Sequence, residues 1–355
     1  VKTLTRRFAL DVALVVLAYA LFRVPLDRGW IEHGYANGIY AALATTFVPL
    51  SNRVPFAVGD LVLAFIVISL IVWWVRSVRN TRGSRRLAAA HMLVHTAAVV
   101  ALIAIWFQCA WGLNYRRAPI IERVAFDGTR VNAAGVAAFS KAIIADLIRT
   151  APLAHARMNE SPEDMRAHLA AAFAPVVARL GDTYGVNVTI PKTTIFDRWY
   201  EIAGIGGMFN PFSYETNLNA NFLPFESPFA LAHEWGHVAG FGDESDANLI
   251  GALTCLRSDD PLIHYSGLFW IYDYLPESER RRLPVSKLVY DDLVAARERF
   301  LRHYNGNVYF WQWFVYDKYL RANRVRSGVV SYSLFVQVLV GTPRDTSGLP
   351  LRRKS

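Results

Sequence analysis

Cysteine is almost missing from this sequence: its 355 residues include two, Cys109 and Cys255. Two are too few for a disulfide framework, and the absence of a CxxC pair excludes the usual thiolate zinc and redox motifs. Charge is also scarce, at 19% of residues, against about 25% in an ordinary soluble domain, which argues against a disordered chain. No repeat, low-complexity tract or Ser/Gly-rich linker breaks the sequence. Acidic residues are outnumbered, 29 Asp/Glu against 38 Lys/Arg, for a formal net charge of +9. Such a balance would suggest a nucleic-acid partner if the positive charge lay on a soluble face.

It does not lie there. Hydrophobic residues make up 53% of the chain and crowd into its first 113 positions, where three apolar runs cover about 8–24, 57–75 and 90–113. A membrane-crossing helix needs about 20 such residues, and Trp73, Trp74, Trp106 and Trp111 sit near run ends, where aromatic belts form. The first run ends Phe22-Arg23-Val24-Pro25 without a small-x-small cleavage site, so it reads as an anchor rather than a removable leader. Residues 1–113 hold 11 Lys/Arg against 4 Asp/Glu, and 114–355 hold 27 against 25. Arg76, Arg79, Arg82, Arg85 and Arg86 crowd the short link between the second and third runs, and Lys2, Arg6 and Arg7 precede the first. The positive-inside rule then sets a multi-pass anchor, N-terminus cytoplasmic, with residues 114–355 periplasmic or extracellular. The partners expected are the lipid bilayer and a peptide or protein substrate, and no nucleic acid.

The remaining 240 or so residues suffice for a substantial core. Asn132–Thr150 reads as a helix. Ser161-Pro162-Glu163-Asp164 opens a second, with Ser as N-cap and acids in the first turn, bent or broken at Pro175 and stopped at Gly181. Val186–Ile190 and part of 194–204 are expected as strands, Gly204–Phe212 as irregular, and Ser213–Asn219 as an edge strand able to pair with extended substrate. Glu215 reads as a solvated strand residue. From Pro228 onward the pattern is mainly helical, and the apolar run Val329–Val340 is too short to span. The fold expected is three transmembrane helices followed by a mainly α (α+β) zincin-like domain with a small sheet.

The chemistry is concentrated at 226–248. Ser227 and Pro228 form an N-cap and N1 pair, so a helix begins there. His233 and His237, four apart, share one face of it and can bind one Zn²⁺, with Glu234 beside them to take a proton from the metal's water. Chance would place only about 0.01 HExxH matches in a chain of this composition. A catalytic zinc needs a third protein ligand. Asp243 would suit a metzincin-like spacing, but that class requires a downstream Met-turn, and the last methionine is Met208. Glu244 suits a turn at Gly240-Phe241-Gly242 followed by a second helix, with Asp243 as its N-cap and Asp246 at N3. Glu244 is the favoured reading, with Asp243 and Asp246 as alternatives. Asp246 could instead orient a histidine.

HEWGHVAGFGDESDAN, residues 233–248, resembles the HExxH…ExxAN pattern of gluzincin-type peptidases. The three apolar runs, Trp111–Pro119 (WGLNYRRAP), this block, His264-Tyr265-Ser266-Gly267 and Tyr316–Leu320 (YDKYL) together resemble the bacterial membrane proteins known as domain of unknown function 3810. The likeness covers nearly the whole chain. It implies a membrane-anchored, zinc-dependent metallopeptidase-like domain, with His233, His237 and Glu244 as ligands, Glu234 as base and no stated substrate. Asp246 stands where many relatives carry Glu.

His264, Tyr265 and Tyr332 are candidates to stabilise the developing oxyanion, though both tyrosines sit among apolar neighbours that suit ordinary packing. The aromatic stretch Tyr309–Leu320 reads as core or membrane-facing surface. The competing function is a non-catalytic zinc-binding sensor or envelope assembly protein. Its structural metal would call for a fourth ligand, for which Cys255 is the obvious thiol.

Overall fold

The computed structural model describes residues 2–79, 85–181, 188–323 and 334–353. The chain opens with α1 (Lys2–Arg23), passes through a π-helical segment (Trp30–Tyr40) into α2 (Ala41–Asn52), and continues with α3 (Val58–Arg79) and α4 (Arg85–Ala110). Helices α5 (Ala133–His155), α6 (Pro162–Leu180) and α7 (Asp197–Ala203) precede strands β1 (Gly207–Asn210) and β2 (Glu215–Leu218). Then come α8 (Ser227–Val238), α9 (Glu244–Leu256), α10 (Pro261–Tyr274), α11 (Glu277–Arg282), α12 (Lys287–Leu301), α13 (Gly306–Ala322) and α14 (Leu334–Gly341).

Two corrections concern the fold class. Among the described residues, two helices rather than three are long and apolar enough to cross a membrane: Val58–Arg79 and Ala88–Ala110. Asp11 and Arg23 confine the uncharged run of α1 to Val12–Phe22, well short of the roughly 20 residues a crossing needs. It lies along α4 instead, with the Phe8 ring edge-on to His91 at 5.8 Å and Asp11 Oδ2 3.4 Å from His95 Nδ1. The second correction is that, among the described residues, no α+β layer of the zincin type forms. These residues are mainly helical, with one antiparallel sheet of two four-residue strands paired from Gly207↔Leu218 to Asn210↔Glu215. A sheet of this size cannot make a layer and needs helix packing to persist.

Local signals explain several helix ends. Asn132 caps α5 by accepting from Gly135 N–H, and Ser161 caps α6 by accepting from Asp164 N–H. Helix α6 runs unbroken through Pro175 and ends at Gly181, whose φ of +114° is left-handed. Helix α8 begins one residue earlier than the cap pattern implies: Ser227 is inside it, and its hydroxyl donates to the Pro224 carbonyl. Part of 194–204 is the helix α7 rather than a strand, and Gly207–Asn210 forms β1 where irregular chain was expected. Of the expected strand 186–190, residues 186 and 187 lie outside the described residues, and 188–190 form no strand.

The larger core joins α5, α6, α8, α9, α10 and α14, with Phe173, Trp235, Leu231, Ile250 and Phe335 fully buried. A second cluster joins Ile31, Tyr35, Tyr40 and Val48 to Trp111, Leu113, Phe209, Tyr214 and Val238. The chain between α1 and α3 therefore packs onto the domain that carries the HExxH helix. Strand β2 is buried at every position, and Glu215, expected in solvent, is 1% exposed. It accepts from the N–H groups of Val58 (2.9 Å) and Gly59 (2.7 Å) at the start of α3 and pairs with Lys192 at 3.0 Å. A carboxylate there complements the partial positive charge of the helix N-terminus. Asp60, in the first turn of α3, accepts from Thr194 Oγ1 (2.7 Å) and Ile195 N–H (2.8 Å). One apolar helix is thus bonded to the domain at its first turn.

Candidate metal centre

His233 and His237 project from one face of α8, their rings at right angles with centroids 4.8 Å apart. The chain then reverses at Gly240, whose φ is +80°. Gly240 N–H donates to the His237 carbonyl and Phe241 N–H to that of Gly236, the paired bonds of a left-handed helix stop that disfavours a side chain at Gly240. Asp243 then caps α9, accepting from Ser245 N–H at 2.8 Å. Glu244, the first residue of α9, points back at the histidines. A Cβ on Gly236 would stand 3.3 Å from Ala247 Cα, so the small residues in HEWGH and ESDAN let the two helices cross closely.

The three ligand atoms converge. Glu244 Oε2 is 3.3 Å from His233 Nε2 and 3.5 Å from His237 Nε2, and one ligand atom from each residue lies within 4.8 Å of the others. The far side of each ring is held. His237 Nδ1 donates to the Phe241 carbonyl (2.8 Å), and His233 Nδ1 donates to Asn248 Oδ1 (2.7 Å). Carbonyl oxygens only accept, so both protons sit on Nδ1 and both Nε2 lone pairs face Glu244. Glu244 Oε2 is buried without a hydrogen bond, while its Oε1 accepts from the Tyr316 hydroxyl. Two neutral imidazoles and a carboxylate, oriented by outer partners, are donors that could together hold a divalent metal such as zinc. Among the described residues no fourth ligand joins them. Cys255 lies in the core, against Gly267.

The charges fit a cation. Burial alone would raise the Glu244 carboxyl, but the facing imidazoles, His237 foremost, hold it well below the usual range. Burial alone would lower His237, but the Glu244 carboxylate outweighs it and pushes the ring up to about 9. Glu234 is buried, which pushes its carboxyl up against the pull of both imidazoles, and it accepts a hydrogen bond from the backbone of Phe209 in β1. A Cβ on Gly207 would meet Glu234 Oε1 at 2.9 Å.

Other expected site residues lie apart from this cluster. His264 pairs with Asp146 at 2.8 Å, and the Tyr265 hydroxyl donates to Asp292, which also meets His155. Both serve the contacts of α10 with α5 and α12. Asp246 accepts from Ile120 N–H at 3.1 Å; burial, reinforced by Asp243, pushes it up to about 8. Tyr332 lies outside the described residues. Strand β2 is flanked by β1 and, through a bridge from Asn217, by Lys192, so β1 rather than 213–219 takes the outer position.

Sequence reasoning singled out several contributors only as marks of the family resemblance and gave them no role. Asn248 stands at i+4 from Glu244, a spacing that places both on one face of α9. Tyr316, in the YDKYL stretch, comes from α13, and nothing local tied it to Glu244. The WGLNYRRAP stretch cradles the turn after α8: Trp111 Nε1–H donates to the His237 carbonyl (2.9 Å), and Arg117 donates to the carbonyls of Ala239 and Gly240 and lies over the Phe241 ring. Arg117 and Arg123 both pair with Glu32, and the Tyr40 hydroxyl donates to the Val238 carbonyl at 2.6 Å.

Comparison with known proteins agrees with the extent of this arrangement. A family described as protein of unknown function (DUF3810) matches residues 35–340, from within the π-helical segment to α14. No curated protein and no solved structure matches the chain. The chain belongs to the DUF3810 family.

Proposed function

We propose that this DUF3810 member is a membrane-anchored zinc-dependent metallopeptidase with a gluzincin-type ligand set, hydrolysing peptide bonds outside the cytoplasm. The observation that carries the reading is the convergence of His233 Nε2, His237 Nε2 and Glu244 Oε2, with each ring locked through Nδ1, beside a buried Glu234. Zinc bound there would supply Lewis acidity and make its water acidic near neutral pH. Glu234 accepts a proton from the attacking water and hands it to the leaving amine, and burial raises its carboxyl toward the working pH that such a base needs. Gly207 leaves room for this carboxylate, and Phe209 N–H holds it. That bond turns the outer edge of β1 toward Glu234, so an extended peptide on this edge would run past the base. Tyr316 fixes Glu244 so that one carboxylate oxygen stays aimed at both histidines.

The apolar helices α3 and α4 support the anchoring. Their side chains are largely exposed, Phe65 at 72% and Leu93 at 73%, as suits lipid. Arg76, Arg79, Arg85 and Arg86 flank the link between them, and by the positive-inside rule this favours a cytoplasmic link with the metal centre on the opposite side. Lipid and a peptide or protein are therefore the partners proposed.

The purified full chain should hold about one zinc. His237→Ala should lose it, and Glu234→Gln should keep it while losing about 10²–10⁴-fold in peptide hydrolysis. Undiminished hydrolysis in Glu234→Gln would remove the proposed base. Zinc binding with no hydrolysis of envelope peptides by the wild type would favour a non-catalytic zinc protein.

A further inference from the structure

A cavity of about 530 Å³ opens between the β1–β2 end, α10, α12 and the start of α13. That is within the roughly 300–1,000 Å³ typical of sites for small ligands. Five aromatic side chains line it: Phe222, Phe269, Trp270, Phe300 and Tyr309. Two features connect it to the metal centre. Gly206 lines the cavity, and the next residue, Gly207, lies against Glu234. Along α13, Tyr309 meets Trp313 at 5.7 Å and Trp313 meets Tyr316 at 6.1 Å, and Tyr316 bonds to Glu244. One helix thus borders both the cavity and the ligand set.

The charges in the cavity are unevenly satisfied. Glu226 is held by Arg299 at 2.6 Å, Glu201 by Arg198 at 3.1 Å, and Asp273 by Arg280 at 3.4 Å. Arg297 and Arg302 also line the cavity and are exposed, and among the described residues neither side chain has a hydrogen-bond or ion-pair partner. The acids are engaged and two guanidinium groups are unused. An aromatic-walled cavity with spare guanidinium groups suits an apolar ring joined to a carboxylate, through packing and charge-assisted hydrogen bonds.

We propose that this cavity is the substrate-selecting subsite of the peptidase, taking an aromatic or bulky apolar side chain together with a neighbouring peptide carboxylate. This assignment rests on the peptidase reading of the metal centre. Arg297 and Arg302 act at the rim as specificity determinants and take no part in the proton transfers.

The test is calorimetric binding to the zinc-loaded, full-length Glu234→Gln protein, which prevents turnover. The probes are N-acetyl-Phe-Glu, N-acetyl-Phe-Lys and N-acetyl-Ala-Glu, each as its C-terminal amide, so that the Glu side chain is the one carboxylate present. N-acetyl-Phe-Glu should bind about tenfold or more tightly than either of the others. Arg297→Ala/Arg302→Ala should abolish the preference for Glu over Lys, and Arg297→Glu/Arg302→Glu should invert it, with zinc content unchanged in both. Equal binding of the three probes, or a Glu preference that survives in the double alanine variant, overturns the proposal. Wild-type hydrolysis assayed alongside separates the two readings. Cleavage that does not depend on Arg297 and Arg302 removes the subsite and leaves the peptidase. An arginine-dependent preference with no cleavage of any peptide removes the peptidase and, with it, the role as a substrate subsite.

Discussion

Replacing Asn248 by alanine should weaken zinc binding without touching a ligand. Asn248 is 3% exposed, and its Oδ1 accepts from His233 Nδ1 at 2.7 Å. That bond keeps the proton on Nδ1 and the Nε2 lone pair facing Glu244. In the alanine variant the buried Nδ1–H has no acceptor, and the proton can move to Nε2, where it blocks coordination. Leaving a buried donor unpaired costs about 1–3 kcal/mol, and losing an outer partner of a metal-bound histidine costs about 10–100-fold in affinity. At about 1.4 kcal/mol per tenfold the two figures overlap, so a 10–100-fold loss is expected. A chromophoric chelator competing for zinc at pH 7.5 would measure it, with far-UV circular dichroism confirming the fold. Asn248→Asp keeps an acceptor and should retain the affinity. Tyr274 also bonds to Asn248, so Tyr274→Phe is the control and should leave zinc binding unchanged. An affinity within about twofold of wild type in folded Asn248→Ala would refute the claim that this bond sets the tautomer.

Other perturbations probe how the centre is supported. Lys192→Met would strand Glu215 in an interior where the pair is 3% and 0% exposed. The expected cost is about 3–5 kcal/mol, read as a lower unfolding midpoint in detergent, and Glu215→Gln in the same chain should restore part of it. Gly267→Ala should destabilise by about 1–3 kcal/mol, because its Cβ would stand 2.4 Å from that of Cys255; Cys255→Gly should rescue the thermal midpoint and Cys255→Ala should not. Burial raises the Cys255 thiol strongly, so a Cys109→Ser chain should take up maleimide only when unfolded; rapid native labelling would contradict the packing of α9 on α10.

The parts of the site legible in the sequence are those that local geometry sets. The i,i+4 spacing puts His233 and His237 on one helix face, the left-handed Gly240 ends that helix, and Asp243 caps the next, which leaves Glu244 rather than Asp243 to turn toward the metal position. Each of these effects acts within a turn or two of helix. Local reasoning failed where one sequence pattern admits two settings. Glu215, in a polar stretch, could sit in solvent or cap a distant helix; burial against Val58, Gly59 and Lys192 decided it. His264 and Tyr265 carry groups suited to catalysis, but Asp146 and Asp292 on other helices engage them. The stretch 309–320 splits by face: Tyr316 bonds to Glu244 and Trp313 packs between it and Tyr309, while Phe310, Trp311 and Phe314 stay exposed.

By itself, then, the sequence determined the pattern of candidate metal donors, several helix starts and the concentration of apolar and basic residues in the first 113 positions, because periodicity and capping are short-range. Tertiary structure alone decided what surrounds the donors. Trp111 reaches the His237 carbonyl across 126 residues, Tyr316 reaches Glu244 across 72, and Tyr40 reaches the turn after α8 across 198. Such partners are chosen by which helices share a core, and that choice depends on the packing of the whole chain.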